Sequence, residues 1–426
     1  MRKCYNDPKP PAIEEGTMDW ADNDEQAAFR TEVHSFIADS LPQYYRDRIA
    51  TRRPRGLEGD WQGDIAIGTE DAQAAASEWA DALSTKGWVA PHWPTEYGGG
   101  GMTPMEQFIY NQEMAEAEAP LVGGSGVSLL GSTLLVHGNE EQKQKFLRPT
   151  LEGEFRWAQG FSEPGAGSDL ASLQTRATRD GDEYVINGQK LWTSAAHKSN
   201  WLFGMFRTNP DAPKHRGISF LVMDMTSPGI SVRPIITMGW EHGTNETFYE
   251  NVHVPADQLV GEEDRGWYVG VTLLDFERSN IAGAIQIRKS IDRLIENVGT
   301  DEGRRMVEAG GLRRQRTAVA DHYVESEVMF NYSFRIISMQ ARGIIPNYEA
   351  STSKMFASEL VQRVSRTGIK VYGLYSNVWD PDSAHSPQKS VFTQSNVHSV
   401  IGTIGGGSSE IQRNIIATRG LGLPRG

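Results

Sequence analysis

Cysteine is almost absent from this sequence of 426 residues. The single cysteine, Cys4, lies in an N-terminal stretch rich in proline and charge. One cysteine cannot form an internal disulfide, so the sequence indicates a reducing compartment, and we expect the cytoplasm. Residues 1–18 are predicted to form a loose extension in which Cys4 is an unimportant exposed thiol.

Basic residues are fewer than acidic ones. The 42 Lys and Arg against 55 Asp and Glu give a formal net charge of −13. Nucleic-acid binding requires clustered basic side chains that contact phosphates, so this balance argues against a nucleic-acid partner. A small anionic ligand is still compatible, because a few local basic groups and helix N-termini suffice to bind one. Metal-ligand spacing is also lacking among His92, His197, His215 and His242, so we expect no metal site.

Long hydrophobic runs are missing as well. No stretch approaches the roughly 18 apolar residues of a membrane-spanning helix. The N-terminus also lacks the apolar run of a signal peptide. We therefore expect no membrane span. The length allows two or three domains or one large core.

The hydrophobic period changes twice along the chain. Residues 19–155 favour helices, for example through Phe29 and Val33 at helical spacing. Residues 156–265 favour antiparallel strands, and residues 266–426 return to the helical period. This order predicts an α+β fold of three domains packed as one unit, with a binding cleft where they meet.

Turn and strand signals describe the middle domain in more detail. Asp180-Gly181 and Asn187-Gly188 each predict a two-residue hairpin turn, with a strand over 183–186 between them. Further strands are predicted at 201–207, 217–225, 229–236 and 247–254. In the C-terminal part, long helices are predicted at 267–298, 304–342, 349–373 and 390–401.

Two stretches of the middle domain carry groups suited to ligand binding. Residues 161–169, Phe-Ser-Glu-Pro-Gly-Ala-Gly-Ser-Asp, predict a tight loop whose hydroxyl and N–H groups can hold a ligand. An ordinary turn explains this loop equally well. Trp192, followed by Thr193 and Ser194, can flank a flat ring and bind its edge. A core tryptophan beside a satisfied serine is the alternative.

Four motifs together resemble one enzyme family. The segments FSEPGAGSDL, INGQKLWTS, VHVPADQLVGEEDRGW and GGGSSEIQRNIIA follow the order and spacing of the acyl-CoA dehydrogenases. The resemblance implies an N-terminal α-helical domain, a middle β domain and a C-terminal four-helix bundle. It also implies bound FAD, an acyl-CoA thioester as substrate and an electron-transfer flavoprotein as electron acceptor. The expected assembly is a homo-oligomer, either a dimer or a homotetramer.

The resemblance further implies site residues. It implies that the cofactor is held by Gln159, Phe161, Ser162, Trp192, Ser194, Arg313, Gly407, Ser408 and Glu410. It implies substrate contacts from Ser168, Arg278 and Gly405, and catalytic roles for Glu277 and Gly406. Arg313 shares one helical turn with Arg314 and Arg316. A solvated helix face is the alternative for these three arginines.

The glycine-rich loop lacks the residue that many family members use as the base. They read Tyr-Glu-Gly-Thr where this chain has Gly405 to Ser408, so Gly406 stands in place of the glutamate. Some branches of the family carry the base in a Leu-Asp-x-Glu-Arg motif, which here is Leu274 to Arg278. Glu277 also falls on the apolar stripe of its predicted helix, where a carboxylate is costly without a partner or a role. A partly buried, paired glutamate is the alternative.

These matches predict a mechanism. Glu277 removes the α-proton of the thioester while hydride leaves the β-carbon for flavin N5, and the N–H of Gly406 polarises the thioester carbonyl. A base on the helix and small residues in the loop favour a branched, cyclic or bulky acyl group.

One departure from the family keeps alternatives open. Tyr372 to Asn377 contains one glycine where many members have Gly-Gly-x-Gly against a partner subunit's FAD. The chain is therefore either an enzyme in its own right or a non-catalytic or half-site subunit of a hetero-oligomer. An acyl-CoA oxidase is the third reading.

Overall fold

The computed structural model describes residues 22–51, 60–275, 281–310 and 315–424. Helices come first, strands follow and helices return, as the change of period predicts. The N-terminal helices are Asp24–Ser40 (α1), Gln43–Ala50 (α2), Trp61–Ile67 (α3), Glu70–Ser84 (α4), Pro104–Glu116 (α5), Ser132–His137 (α6) and Glu140–Leu151 (α7).

Local sequence fixes where several of these helices begin. Asn23, Thr103 and Asn139 each accept a hydrogen bond from the backbone three residues on, and the Gln or Glu at that position bonds back. These reciprocal caps satisfy N–H groups that a helix start leaves unpaired. The helices then bury large aromatic side chains, including Trp79 and Trp93, in a shared core.

His92 lies beside this core and should make the protein sensitive to acid. Burial lowers the pKa of His92 to about 4, from an ordinary value of 6.5. Between those two pH values the unfolded chain binds a proton that the folded chain does not, so stability falls as the pH falls. Between pH 7 and pH 4.5, the free energy of unfolding should fall by about 2 kcal/mol less in His92→Asn than in the wild type. Urea unfolding of both proteins at the two pH values measures this, and an equal loss in both would contradict it.

The middle domain is built on one sheet. Its strands are Trp157–Gly160 (β1), Arg176–Asp180 (β2), Glu183–Lys190 (β3), Trp201–Arg207 (β4), Ile218–Asp224 (β5), Ile230–Ile235 (β6), Thr244–Pro255 (β7) and Leu259–Val260 (β8). Their order is β6-β7-β3-β2-β4-β5-β8, with β1 paired to β4. Most neighbours are antiparallel, but β4 pairs in parallel with β1 and β2. Two parallel neighbours need a long connection between them. The alternating pattern within a single strand does not reveal which strand will become its neighbour or in which direction it will run.

The second predicted hairpin turn is wrong. Asp180 and Glu183 do close a hairpin between β2 and β3. Asn187 and Gly188, however, lie inside β3, where the register against β7 shifts. Gly188 has φ +145°, and a Cβ there would come within 2.8 Å of the Thr175 backbone. The Asn-Gly pair therefore makes a bulge, because β7 is long enough to keep pairing beyond it.

The C-terminal region is helical. Its helices are Gly266–Asp275 (α8), Ile281–Gly299 (α9), Asp301–Gly310 (α10), Arg316–Ala341 (α11), Tyr348–Tyr372 (α12), Val391–His398 (α13) and Ser409–Ile415 (α14). Helices α9, α11, α12 and α13 pack together as a bundle. The predicted helix 304–342 corresponds to α10 and α11, on either side of residues 311–314. Within the described ranges, no helix is long and apolar enough to span a bilayer.

Candidate functional site

A buried ion pair holds the loop of residues 161–169 against the sheet. Lys190, at the end of β3, is completely buried. Its Nζ donates to Glu163 Oε1 at 2.8 Å, to the Met205 carbonyl at 2.7 Å and to the Phe161 carbonyl at 3.1 Å. All three ammonium protons thus have acceptors, which a buried charge requires.

The Glu163 carboxylate is equally well satisfied. It accepts the backbone N–H groups of Gln174 at 2.6 Å and Thr175 at 2.9 Å. Burial lowers the pKa of Lys190 to about 8, although Glu163 opposes this. Burial alone would raise the pKa of Glu163, but Lys190 and the N–H donors hold it below its usual value. The pair is therefore charged near neutral pH and fixes the loop.

The residues predicted on this loop and on β1 differ in exposure. Gln159 is half-buried on β1. Phe161 is buried, with its ring edge-on to Phe203 and Phe220 in the core. The Ser162 carbonyl accepts the N–H of Leu191 at 2.8 Å, which places the loop beside the Trp192 turn. Ser168 is exposed.

Trp192 and Ser194 lie on an exposed turn with unusual backbone geometry. The Trp192 side chain is 54% exposed, so it is not a core tryptophan. Trp192 and Ala195 have φ values of +62° and +61°. Non-glycine residues rarely adopt this conformation, and such positions cluster at binding sites.

Asn245 holds this turn in place. Its backbone carbonyl accepts the Thr193 N–H at 2.9 Å, and its side-chain amide donates to the Thr193 carbonyl at 3.0 Å. The Ala195 N–H bonds to the Gly243 carbonyl at 3.0 Å. The turn therefore presents an indole and, at Ser194, an exposed hydroxyl from a rigid base.

The connection between β6 and β7 links this turn to the C-terminal helices. Trp240 contacts Trp379 edge-on at 5.1 Å between ring centroids. Glu241 Oε2 lies 3.2 Å from His398 Nε2, at the end of α13. A Cβ at Gly239 would come within 2.4 Å of His398, so this glycine permits the close approach. The glycine-rich loop lies soon after α13 in the chain.

The glycine-rich loop is exposed and has an unusual backbone. Gly405 and Gly406 are exposed, and Gly406 and Gly407 have φ values of +64° and +84°. Ser408 is the N-cap of α14, and its side chain accepts from the Ile411 N–H. Glu410 is exposed in the first turn of α14, and the pKa of its carboxyl is lowered by its own backbone N–H and by Ser408. Within the described residues, the N–H groups of Gly406, Gly407 and Ser408 have no acceptor.

Three predicted site residues, Glu277, Arg278 and Arg313, lie outside the described residues. In α9, which follows these residues in sequence, Ile281 and Ile285 are buried. Arg316, a neighbour of Arg313 in sequence, is exposed at the start of α11.

Sequence reasoning missed four residues that hold the site. Lys190 and Glu163 hold the first loop, Asn245 holds the Trp192 turn, and Lys354 contacts the glycine-rich loop. Lys190 carried a weak signal, because it is a charge at the end of an alternating strand next to a binding motif. Lys354 carried none, since a lysine on a long helix is ordinarily a solvated residue.

The exposed groups fit a flavin nucleotide. An indole and a hydroxyl on one rigid turn suit the face and edge of a flat heterocycle. Backbone N–H groups without acceptors suit carbonyl or phosphate oxygens. Among the described residues, no group of three or more His, Cys, Asp or Glu is arranged to hold a metal ion.

Comparison with known proteins identifies the family. Family models for the N-terminal, middle and C-terminal domains of acyl-CoA dehydrogenases match residues 64–154, 158–252 and 264–421. The chain belongs to the acyl-CoA dehydrogenase family. It is therefore an acyl-CoA dehydrogenase, an oxidoreductase whose cofactor is FAD.

Individual relatives agree with this assignment. Acyl-CoA dehydrogenase FadE29 of Mycobacterium tuberculosis is 38% identical over 80% of this chain and 87% of its own length. The structure of the Tcur3481-Tcur3483 steroid ACAD is 32% identical, with a TM-score of 0.79 over 96% of this chain and 100% of that one. The ChsE4-ChsE5 complex from Mycobacterium tuberculosis is 31% identical, with a TM-score of 0.78 over the same shares.

Proposed function

We propose that this acyl-CoA dehydrogenase introduces a double bond into a bulky acyl-CoA, branched or ring-bearing, with Glu277 as its base. One observation carries the proposal: the glycine-rich loop has no side chain where many family members have their catalytic carboxylate. A Cβ at Gly405 would meet nothing closer than 3.5 Å, and a Cβ at Gly406 nothing closer than 3.8 Å. The absent side chains leave space that a wide acyl group can use.

The loss of a carboxylate from the loop requires a base elsewhere. Removing the proton next to a thioester carbonyl needs a base within hydrogen-bond reach, best in a partly apolar setting that raises its pKa. Glu277 follows Leu-Asp-Phe and precedes Arg, the sequence of the family branches with a helical base. Ile281 and Ile285, four and eight residues after Glu277, are buried, and an apolar setting for Glu277 is part of the proposal.

The chain's own groups have distinct tasks in this reaction. Glu277 takes the α-proton, and the Gly406 N–H donates to the thioester oxygen, where negative charge develops. That N–H is retained although the side chain is absent. FAD, when bound, supplies the acceptor for the hydride that leaves the β-carbon. An electron-transfer flavoprotein is the proposed next electron acceptor.

The known relatives support a wide substrate. The Tcur3481-Tcur3483 structure is described as a steroid ACAD, and it covers nearly all of this chain. A fused-ring acyl group of that kind is broader than a straight chain, so it needs the open space beside Gly405. We propose a steroid-derived or similar ring-bearing acyl-CoA.

An assembly with a second, unlike chain is a further candidate. Gly373 is the only glycine between Tyr372 and Asn377. The residues Gly373–Asn377 form a short 3-10 helix. The segment that follows contacts the chain's own middle domain through Trp379 and Trp240. This arrangement departs from the Gly-Gly-x-Gly segment expected in a homo-oligomer. The structures of similar fold include a complex of two named chains.

The visible absorption spectrum of the chain purified alone tests both proposals. A flavin band that is bleached anaerobically by a ring-bearing acyl-CoA would support the activity in a homo-oligomer. A folded but colourless protein would favour the unlike pair, and co-expression with candidate partners should then restore the flavin. A bound flavin that is bleached best by a short straight-chain acyl-CoA would contradict the proposed substrate.

Filling the open space should change the substrate preference. Gly405 has no positive φ, so Gly405→Leu places a side chain into the space without backbone strain. We expect kcat/KM for a ring-bearing acyl-CoA to fall about tenfold or more, with a smaller loss for a short straight chain. Gly405→Ala, which adds one methyl group, is the matched control. Equal losses for both substrates would argue against this space as the acyl site.

A further inference from the structure

Lys354 joins the two ends of the glycine-rich loop. It lies in the second turn of α12, and its Nζ donates to the Gly402 carbonyl at 2.9 Å and to the Gly407 carbonyl at 2.6 Å. The aliphatic stem passes beneath the loop, because a Cβ at Gly406 would lie 3.8 Å from Lys354 Cε. One side chain thus bridges a segment of six residues.

The loop needs such support more than most loops do. Gly405, Gly406 and Gly407 are consecutive, and glycine loses more conformational freedom on ordering than any other residue. Hydrogen bonds from a charged donor are among the stronger ones available to hold a backbone. Gln412 adds to them, since its side-chain amide donates to the Gly406 carbonyl at 3.0 Å.

These bonds also set the direction of the neighbouring N–H groups. The C=O and N–H of one trans peptide unit point in opposite directions. The carbonyls of Gly406 and Gly407 point towards Lys354 and Gln412, so the N–H groups of Gly407 and Ser408 point away from these side chains. Lys354 therefore directs the Ser408 N–H away from α12. Because it holds Gly402 and Gly407, it also restrains Gly406, which lies between them.

Lys354 has no other evident task. Within the described residues, no carboxylate lies within ion-pair distance of its ammonium group. Burial lowers the pKa of Lys354, so keeping this charge here has a cost. A half-buried lysine whose hydrogen bonds all go to one loop acts on that loop.

We propose that Lys354 is a positioning residue, which holds the glycine-rich loop so that its N–H donors meet the substrate's developing negative charge. This inference rests on the proposed function, in which the loop contacts the thioester. Donors aimed at developing charge act more strongly on the transition state than on the bound substrate. Loosening the loop should therefore reduce kcat more than it raises KM.

The test compares Lys354→Met with the wild type in the assembly that binds FAD. We expect kcat to fall about 10- to 100-fold, with KM changed less than threefold and flavin content and unfolding temperature close to wild type. Lys354→Arg keeps donors and charge and should recover most of kcat. Lys370→Met, an exposed lysine near the end of the same helix, is the matched control and should behave as wild type.

The outcomes separate this proposal from the proposed function. If the wild type is not reduced by any acyl-CoA, the proposed function fails. If the wild type is active and Lys354→Met retains its kcat, the positioning role is overturned. A parallel loss of FAD and activity in Lys354→Met, not rescued by Arg, would also overturn it. Should Lys354→Met not fold, Lys354→Gln, which keeps two N–H donors on a shorter chain, should show the intermediate kcat, and a wild-type kcat would refute the proposal.

Discussion

Glu277→Gln is expected to slow the reduction of bound flavin by acyl-CoA by several orders of magnitude. The amide keeps the size and most of the hydrogen bonding of the carboxylate but cannot accept the α-proton. A positioned general base contributes about 10²- to 10⁴-fold to a rate, so single-turnover reduction should slow by about 10³-fold. Acyl-CoA should still bind, since the substitution removes the base without reshaping the site. Stopped-flow absorbance of the visible flavin band measures both effects.

Two comparisons make this result specific. Glu302→Gln alters an exposed carboxylate on α10 and should leave the rate unchanged. The double change Glu277→Gln with Gly406→Glu tests whether a carboxylate on the loop can take over, as in other family members. Gly406 has φ +64°, so we expect only partial recovery because a side chain is strained there. A Glu277→Gln enzyme reduced at the wild-type rate would exclude Glu277 as the base.

Lys190→Met should strongly destabilise the folded protein. It removes the buried ammonium and leaves the Glu163 carboxylate buried with only its two backbone donors. Breaking a buried pair from one side typically costs about 3–5 kcal/mol, because the remaining charge is uncompensated. Urea unfolding should show this loss, and bound flavin should be lost with it, since the pair fixes the loop beside the Trp192 turn.

The same loop offers a matched control. Lys214 pairs with Asp169 at 2.8 Å, but both side chains are more than half exposed. Exposed pairs contribute little, so Lys214→Met should cost less than about 1 kcal/mol. Removing both charges in Lys190→Met with Glu163→Gln should recover much of the loss. If the double variant is no more stable than Lys190→Met, the cost arises from packing and not from the unpaired carboxylate.

Local signals predicted much of the fold. Asn23, Thr103 and Asn139 cap the helices that follow them, and such caps depend only on residues three apart. The hairpin at Asp180–Glu183 formed for a similar reason. Asn187-Gly188 carries the same local signal but became a bulge. Whether such a pair turns or bulges depends on the length of the strand opposite, which a local motif does not contain.

The sequence motifs pointed to the Trp192 turn and the glycine-rich loop, but not to the side chains that hold these segments in place. Trp192 and Ser194 lie on an exposed turn beyond the end of β3, and the glycines lie before α14. The side chains that hold these segments come from elsewhere in the chain. Lys354 is 53 residues from Gly407, and Asn245 is 52 residues from Thr193. Nothing in their own neighbourhoods distinguishes them from surface residues.

The sequence by itself determined the order of the three regions, the family and the absence of a carboxylate from the glycine-rich loop. These properties depend on residue type and spacing, which can be read directly from the sequence. The tertiary structure alone decided that Lys190 and Glu163 meet in the core, and that Lys354 reaches the loop. A buried charge is stable only where all its partners converge, and that convergence exists only once distant segments have packed.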